Sequence, residues 1–134
     1  MVERGVIRNR EYAQQIKDFS GLRFGKITPT DLDAFLDFDN RLFIFVEAKH
    51  GKAKMPYGQQ LAFERLVDSC CGDKRISVGF VVSHDTPEDV DYATTIITKY
   101  RLNGDWHFPK NDNSTLKAGI EYFLKKAGIK VNDG

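Results

Sequence analysis

The chain has 134 residues and a mass of 15.3 kDa, the size of one domain, with 41% hydrophobic and 29% charged residues. That composition excludes a disordered or fibrous chain. Its 20 Lys+Arg nearly cancel 19 Asp+Glu, leaving a formal net charge of +1. Coating of polyanions by bulk charge is therefore excluded, while a locally positive nucleic-acid surface stays open.

Residues 9–20 are expected to form a helix, with Tyr12, Ile16 and Phe19 on one face, Asn9 as cap and Gly21 as stop. A strand is expected over about 31–38, where Leu32, Ala34, Leu36 and Phe38 alternate with Asp31, Asp33, Phe35 and Asp37. The turn Asp39-Asn40 leads into a second strand, Arg41 to Lys49, apolar on both faces until its end and so placed inside the sheet. A loop from His50 to Gly58 precedes a helix over about 59–71 that Gly72 stops. Ile76 to Ser83 reads as a buried strand, and the helix before it implies a crossover with parallel pairing. Val90 to Tyr100 reads as strand, with helix left open at its start, and Asn103-Gly104 as a hairpin turn if Trp106-His107-Phe108 resumes the sheet. Ser114 is expected to cap a last helix carrying Leu116, Ile120 and Phe123, ended by Gly128. The predicted fold class is α/β, a two- or three-layer sandwich with helices flanking a mixed sheet, in one domain spanning residues 1–134.

No apolar run approaches the roughly 20 residues that span a bilayer, and Met1-Val2-Glu3-Arg4-Gly5 lacks the apolar core of a secretion signal. Cys70 and Cys71 are adjacent and lack C-x-x-C spacing. They read as small buried residues of a reducing, cytoplasmic setting.

Chemistry enters where charge interrupts the apolar second strand. Glu47 and Lys49 sit two apart, hence on one face of the sheet, where charge is costly unless paired or metal-bound. Hairpin pairing centred on Asn40 gives the pairs 39–41, 37–43, 35–45 and 33–47, which sets Asp33 opposite Glu47. Asp33 and Glu47, helped by the carbonyl of Ala48, suit a hard cation such as Mg²⁺ or Mn²⁺. Such a cation binds a phosphate oxygen and acidifies a water, while Lys49 orients that water or offsets charge developing on phosphorus. A chance E-x-K is expected about once in 300 residues, and of the 19 acidic residues here only Glu47 is followed two positions on by lysine.

The arrangement of Asp33, thirteen residues, then Glu47-Ala48-Lys49, between two predicted helices, resembles the PD-(D/E)XK nuclease superfamily. Gln60-Leu61-Ala62-Phe63 looks like the glutamine motif of its RecB-like and resolvase-like branches, and Ile27 to Asp33 like that of small phage-type members. The likeness covers residues 9–84. It implies a restriction-endonuclease-like core and metal-dependent phosphodiester hydrolysis, with DNA as substrate ahead of RNA. Asp33 and Glu47 would be metal ligands, Lys49 the catalytic lysine and Gln60 a residue touching the site. Proline stands at Pro29 rather than directly before Asp33, so Asp31 is the rival ligand; Glu11 corresponds to an extra acid that some members carry. In the following loop, Lys52 and Lys54 are candidates to hold phosphates and Tyr57 to stack on a base. His84 and His107 lack companions at metal spacing, and Trp106 reads as a packing residue. So small a domain has little recognition surface, and a homodimer or recruitment by a larger complex is expected. The alternative is an inactive nuclease-fold module that binds nucleic acid or inhibits a protein.

Overall fold

A computed structural model describes residues 18–131. Two compact units divide the chain, Met1–Thr30 and Asp31–Gly134. In the first, the described residues form a short 3-10 turn at Ser20–Leu22 and a bridge between Phe24 and Ile27, with Gly25 at φ +65° making the reversal. Residues 9–17 of the expected helix, with the candidate acid Glu11, lie outside the described residues; at its expected end Asp18 and Phe19 are not helical and Ser20 enters the 3-10 turn.

The second unit carries a five-stranded sheet in the order β1-β2-β3-β4-β5, built from β1 (Ala34–Phe38), β2 (Leu42–His50), β3 (Ile76–His84), β4 (Ile96–Leu102) and β5 (Asp105–His107). Only the β2–β3 pair is parallel. Helix α1 (Tyr57–Ser69) is the crossover between those two strands, and α2 (Leu116–Lys126) closes the unit. An α/β fold around a mixed sheet is thus observed. Among the described residues no helix is long and apolar enough to cross a membrane.

The first hairpin follows its sequence closely. Asp39 and Asn40 both take positive φ, 57° and 60°, and β1 pairs β2 through Phe35↔Phe45 and Asp37↔Phe43. The register is the one expected from a turn centred on Asn40. The strand is shorter than its alternation suggests, because it begins at Ala34 and leaves Asp31, Leu32 and Asp33 before it. At the far hairpin, Asn103 and Gly104 at φ +52° and +80° join β4 to β5, the geometry a two-residue turn requires.

Three boundaries differ from expectation for local reasons. Val90–Thr95 is not strand: the Asp91 side chain accepts from the Ala93 N–H at 3.1 Å and Thr94 Oγ1 donates to the Asp91 carbonyl at 3.1 Å, which wraps Tyr92–Thr94 into a 3-10 turn. Helix α1 starts two residues early, so Tyr57 is its first residue; Pro56, with no N–H to satisfy, stands directly before it. Thr115, not Ser114, caps α2, its hydroxyl accepting from the Ala118 N–H at 3.2 Å. Cys71 is exposed rather than buried, and only Cys70 packs against the core.

Alternation in β2 divides the core between two faces. Leu42, Ile44 and Val46 join Val78, Phe80, Val82, Ile97, Leu116 and Phe123 beneath α2. Phe45 and Val81 meet Phe63 and Val67 of α1, together with Met55. Glu47 and Lys49 share parity with Phe45 and therefore lie on the α1 face. Arg101 of β4 grips Asp68 of α1 at 2.7 and 3.0 Å, and Trp106 of β5 stacks on Phe63 with centroids 6.3 Å apart while donating to Glu64 at 2.7 Å. Strands β4 and β5 thereby hold α1 against the sheet.

Close approach of α1 requires Gly79 in β3. A Cβ there would stand 2.5 Å from Phe63 Cε2 and 2.6 Å from Val67 Cγ2, both buried. Gly79→Ala is expected to cost about 1–3 kcal/mol through overpacking, measured as the loss of unfolding free energy in urea.

Candidate functional site

Strand β2 carries its charges at the C-terminal end, where the loop to α1 begins. Glu47 is only 4% exposed. Its Oε1 is well supplied: the Gln59 amide donates to it at 2.9 Å, and Lys49 Nζ stands 3.3 Å away. Lys49 Nζ also donates to Gln59 Oε1 at 3.1 Å. Glutamate, lysine and glutamine thus close a triangle between β2 and the first turn of α1. The other oxygen, Glu47 Oε2, is buried and has no hydrogen-bond partner. A buried carboxylate oxygen with no donor is expensive.

Asp33 is exposed and lies just before β1, where its Oδ2 accepts the Ala48 N–H at 2.7 Å. That bond pins the entry of β1 to β2 beside Glu47. Asp31 is exposed and two residues further out; Asp33 is the aspartate that touches β2. Ala48 enters through its N–H, bound to Asp33.

The electrostatics follow from this packing. Burial, and then the Asp33 charge, push the Glu47 carboxyl above its ordinary value, while Lys49 and Gln59 pull it partly back. Tyr92, in the 3-10 turn before β4, has its phenol raised by burial and by the charges of Asp33 and Glu47. Its ring therefore belongs to the surroundings of the acidic pair. Nothing near residue 92 in the sequence signals this.

Of the other expected residues, Gln60 points elsewhere. It donates to Glu64 Oε2 at 3.3 Å and accepts from Lys99 at 3.0 Å, within the cluster around Trp106. Its neighbour Gln59 is the glutamine that meets Glu47 and Lys49. Lys52, Lys54 and Tyr57 are all exposed, Tyr57 at 81%, beyond the charged end of β2. His84 pairs in register with His50, their rings edge to face at 5.2 Å, and its Nδ1 is buried without a hydrogen bond. Parity sets those two on the α2 face, away from Glu47.

Among the described residues no three or more His, Cys, Asp or Glu side chains are grouped to hold a metal ion. Two carboxylates nevertheless suit Mg²⁺ or Mn²⁺, which take oxygen donors and keep several waters. The orphaned Oε2 of Glu47 is the observation that fits such an ion. Comparison with protein-family models, curated proteins and solved structures finds no match for this chain.

Because the folded-state pKa of Glu47 is raised, ionising it opposes folding, and stability falls as pH rises through that value. Removing the charge by Glu47→Gln is expected to raise the melting temperature of the metal-free protein near pH 7. The gain should shrink as pH falls below the ordinary carboxyl value, where the wild-type group becomes protonated in both states. Thermal unfolding across that pH range measures it.

Proposed function

We propose that the chain is a metal-dependent phosphodiesterase of the PD-(D/E)XK type acting on nucleic acid, with DNA as the favoured substrate and RNA as the second. The observation that carries this reading is Glu47, a buried carboxylate with one oxygen tied to Lys49 and Gln59 and the other left without a donor. The α1 crossover between parallel β2 and β3, behind an antiparallel β1–β2 hairpin, supports a restriction-endonuclease-like core.

In this reading Asp33 and Glu47 hold the cation, Mg²⁺ or Mn²⁺. Bound there, it would supply Lewis-acid polarisation of a phosphate oxygen and acidify a water. Lys49, held by Glu47 and Gln59, presents its ammonium to the scissile phosphate, orienting the attacking water and offsetting charge that grows on phosphorus. Gln59 holds Glu47 Oε1 towards the lysine, leaving Oε2 as the oxygen that would bind a cation. Exposed Lys52 and Lys54 bind flanking phosphates, and Tyr57 stacks on a neighbouring base or ribose. A second copy or a larger complex adds the grip that so small a near-neutral domain lacks.

The test is incubation with single-stranded, double-stranded and branched DNA and with RNA, with and without Mg²⁺ or Mn²⁺. Cleavage is expected only with metal and is abolished in Asp33→Ala and Lys49→Ala; metal-independent cleavage, or cleavage indifferent to both substitutions, rejects the proposal. Within the same assay, Gln59→Ala is expected to lose roughly 10- to 100-fold in rate, the usual effect of removing a group that orients a ligand. Gln60→Ala, whose side chain faces Glu64 and Lys99, is expected to leave the rate within about threefold of wild type.

A further inference from the structure

A cavity of about 520 Å³ opens on the other face of the sheet, between β4–β5 and α2. That volume falls in the range of small-molecule sites. Its floor is aromatic: Phe80 and Tyr100 lie 6.0 Å apart, and Tyr100 stacks on His107 with centroids at 5.2 Å and planes 20° apart. Gly119, at the cavity's edge, lets α2 pack directly on the sheet. A Cβ there would meet Ile97 at 2.6 Å and Phe80 at 3.1 Å.

Two lining rings are left in solvent, Phe108 at 71% and Tyr122 at 60% exposure. Exposed apolar surface gathered at the rim of a cavity is a feature of ligand-binding grooves. The charge of the lining is one-sided. Lys110 contributes an ammonium, and no carboxylate lines the cavity. Lys126 adds a second ammonium nearby, 5.8 Å from the Tyr122 ring centre. Flat rings for stacking, cations at the edge and no acid together select an aromatic anion.

We propose that this cavity binds a nucleotide, its base stacked against Phe108 and Tyr122 and its phosphate at Lys110. The site is separate from Glu47 and Lys49, which lie on the α1 face, and it stands whether or not those residues cleave phosphodiesters. The same chemistry is offered by a free mononucleotide and by one unit of a single strand, and the two are distinguished by experiment.

Binding of AMP, dTMP and a (dT)12 oligonucleotide is measured by isothermal titration calorimetry on the whole protein and on Phe108→Ala, Tyr122→Ala and Lys110→Ala. All three side chains lie at the surface, so folded variants are expected, with circular dichroism as the check. Saturable binding that weakens about tenfold or more in each aromatic variant supports the proposal. Lys110→Ala should weaken AMP while leaving adenosine little changed. Binding of the oligonucleotide alone assigns the site to strands, and of mononucleotides as well to free nucleotides; either upholds it. No binding of any probe, binding unaltered in the aromatic variants, or capture only of an aromatic peptide such as acetyl-tyrosine amide overturns it. Asp33→Ala must retain this binding, which keeps the result independent of any cleavage assay.

Discussion

A carboxylate taken out of water must find donors for both oxygens, and Glu47 finds them for one. Oε1 receives the Gln59 amide and faces Lys49; Oε2 is buried with nothing to accept from. Around this unbalanced group the end of β2, the entry to β1 and the first turn of α1 are assembled. Asp33 holds the Ala48 N–H, Gln59 spans carboxylate and ammonium, and Tyr92 senses both acids. Such an arrangement does not minimise folding free energy, since burial and Asp33 both disfavour the charged form of Glu47. A buried charge left partly unsatisfied beside a second carboxylate is the pattern expected of a binding site.

The rest of the unit keeps that point in place. Phe63 and Val67 settle over Gly79, Arg101 clamps Asp68, and Trp106 is locked between Phe63 and Glu64. These contacts fix α1 along its length and with it Gln59 in its first turn. A β-bulge sits in the β3–β4 ladder at Val81, the residue paired with Glu47, and Thr98 Oγ1 there donates to the Val81 carbonyl at 3.0 Å. Bulges of this kind re-aim strands beside functional groups.

Much of this was legible in the sequence because local chemistry decides it. Asp39-Asn40 tolerates positive φ, so the turn sets the hairpin register, and the register carries Asp33 to β2. Period-two alternation placed Glu47 and Lys49 on one face. Choosing between Gln59 and Gln60 is different in kind: neighbours on a helix point about 100° apart, and only packing of α1 against the sheet selects one. The start of α1 at Tyr57 and the turn at Tyr92–Thr94 depended on Pro56 and Asp91, which compete locally with strand and loop readings. Tyr92 was beyond reach, since its approach to the acids is a long-range contact with no spacing to betray it. The aromatic cavity was equally hidden, because Phe108 and Tyr122 come from distant segments.

Near-neutral net charge takes on a local meaning in this setting. Acids gather at Asp33 and Glu47, and Lys49, Lys52 and Lys54 follow directly in the chain. A divalent ion between the two carboxylates would convert an acidic site into one that accepts phosphate.

Titration of the metal-free protein with Mn²⁺, read by calorimetry or by the paramagnetic resonance of the free ion, tests the role of Glu47 most directly. One ion per chain is expected, with affinity falling at least tenfold in both Glu47→Gln and Asp33→Asn. Absence of binding by the wild type, or equal binding by both variants, would contradict a metal seat at the end of β2.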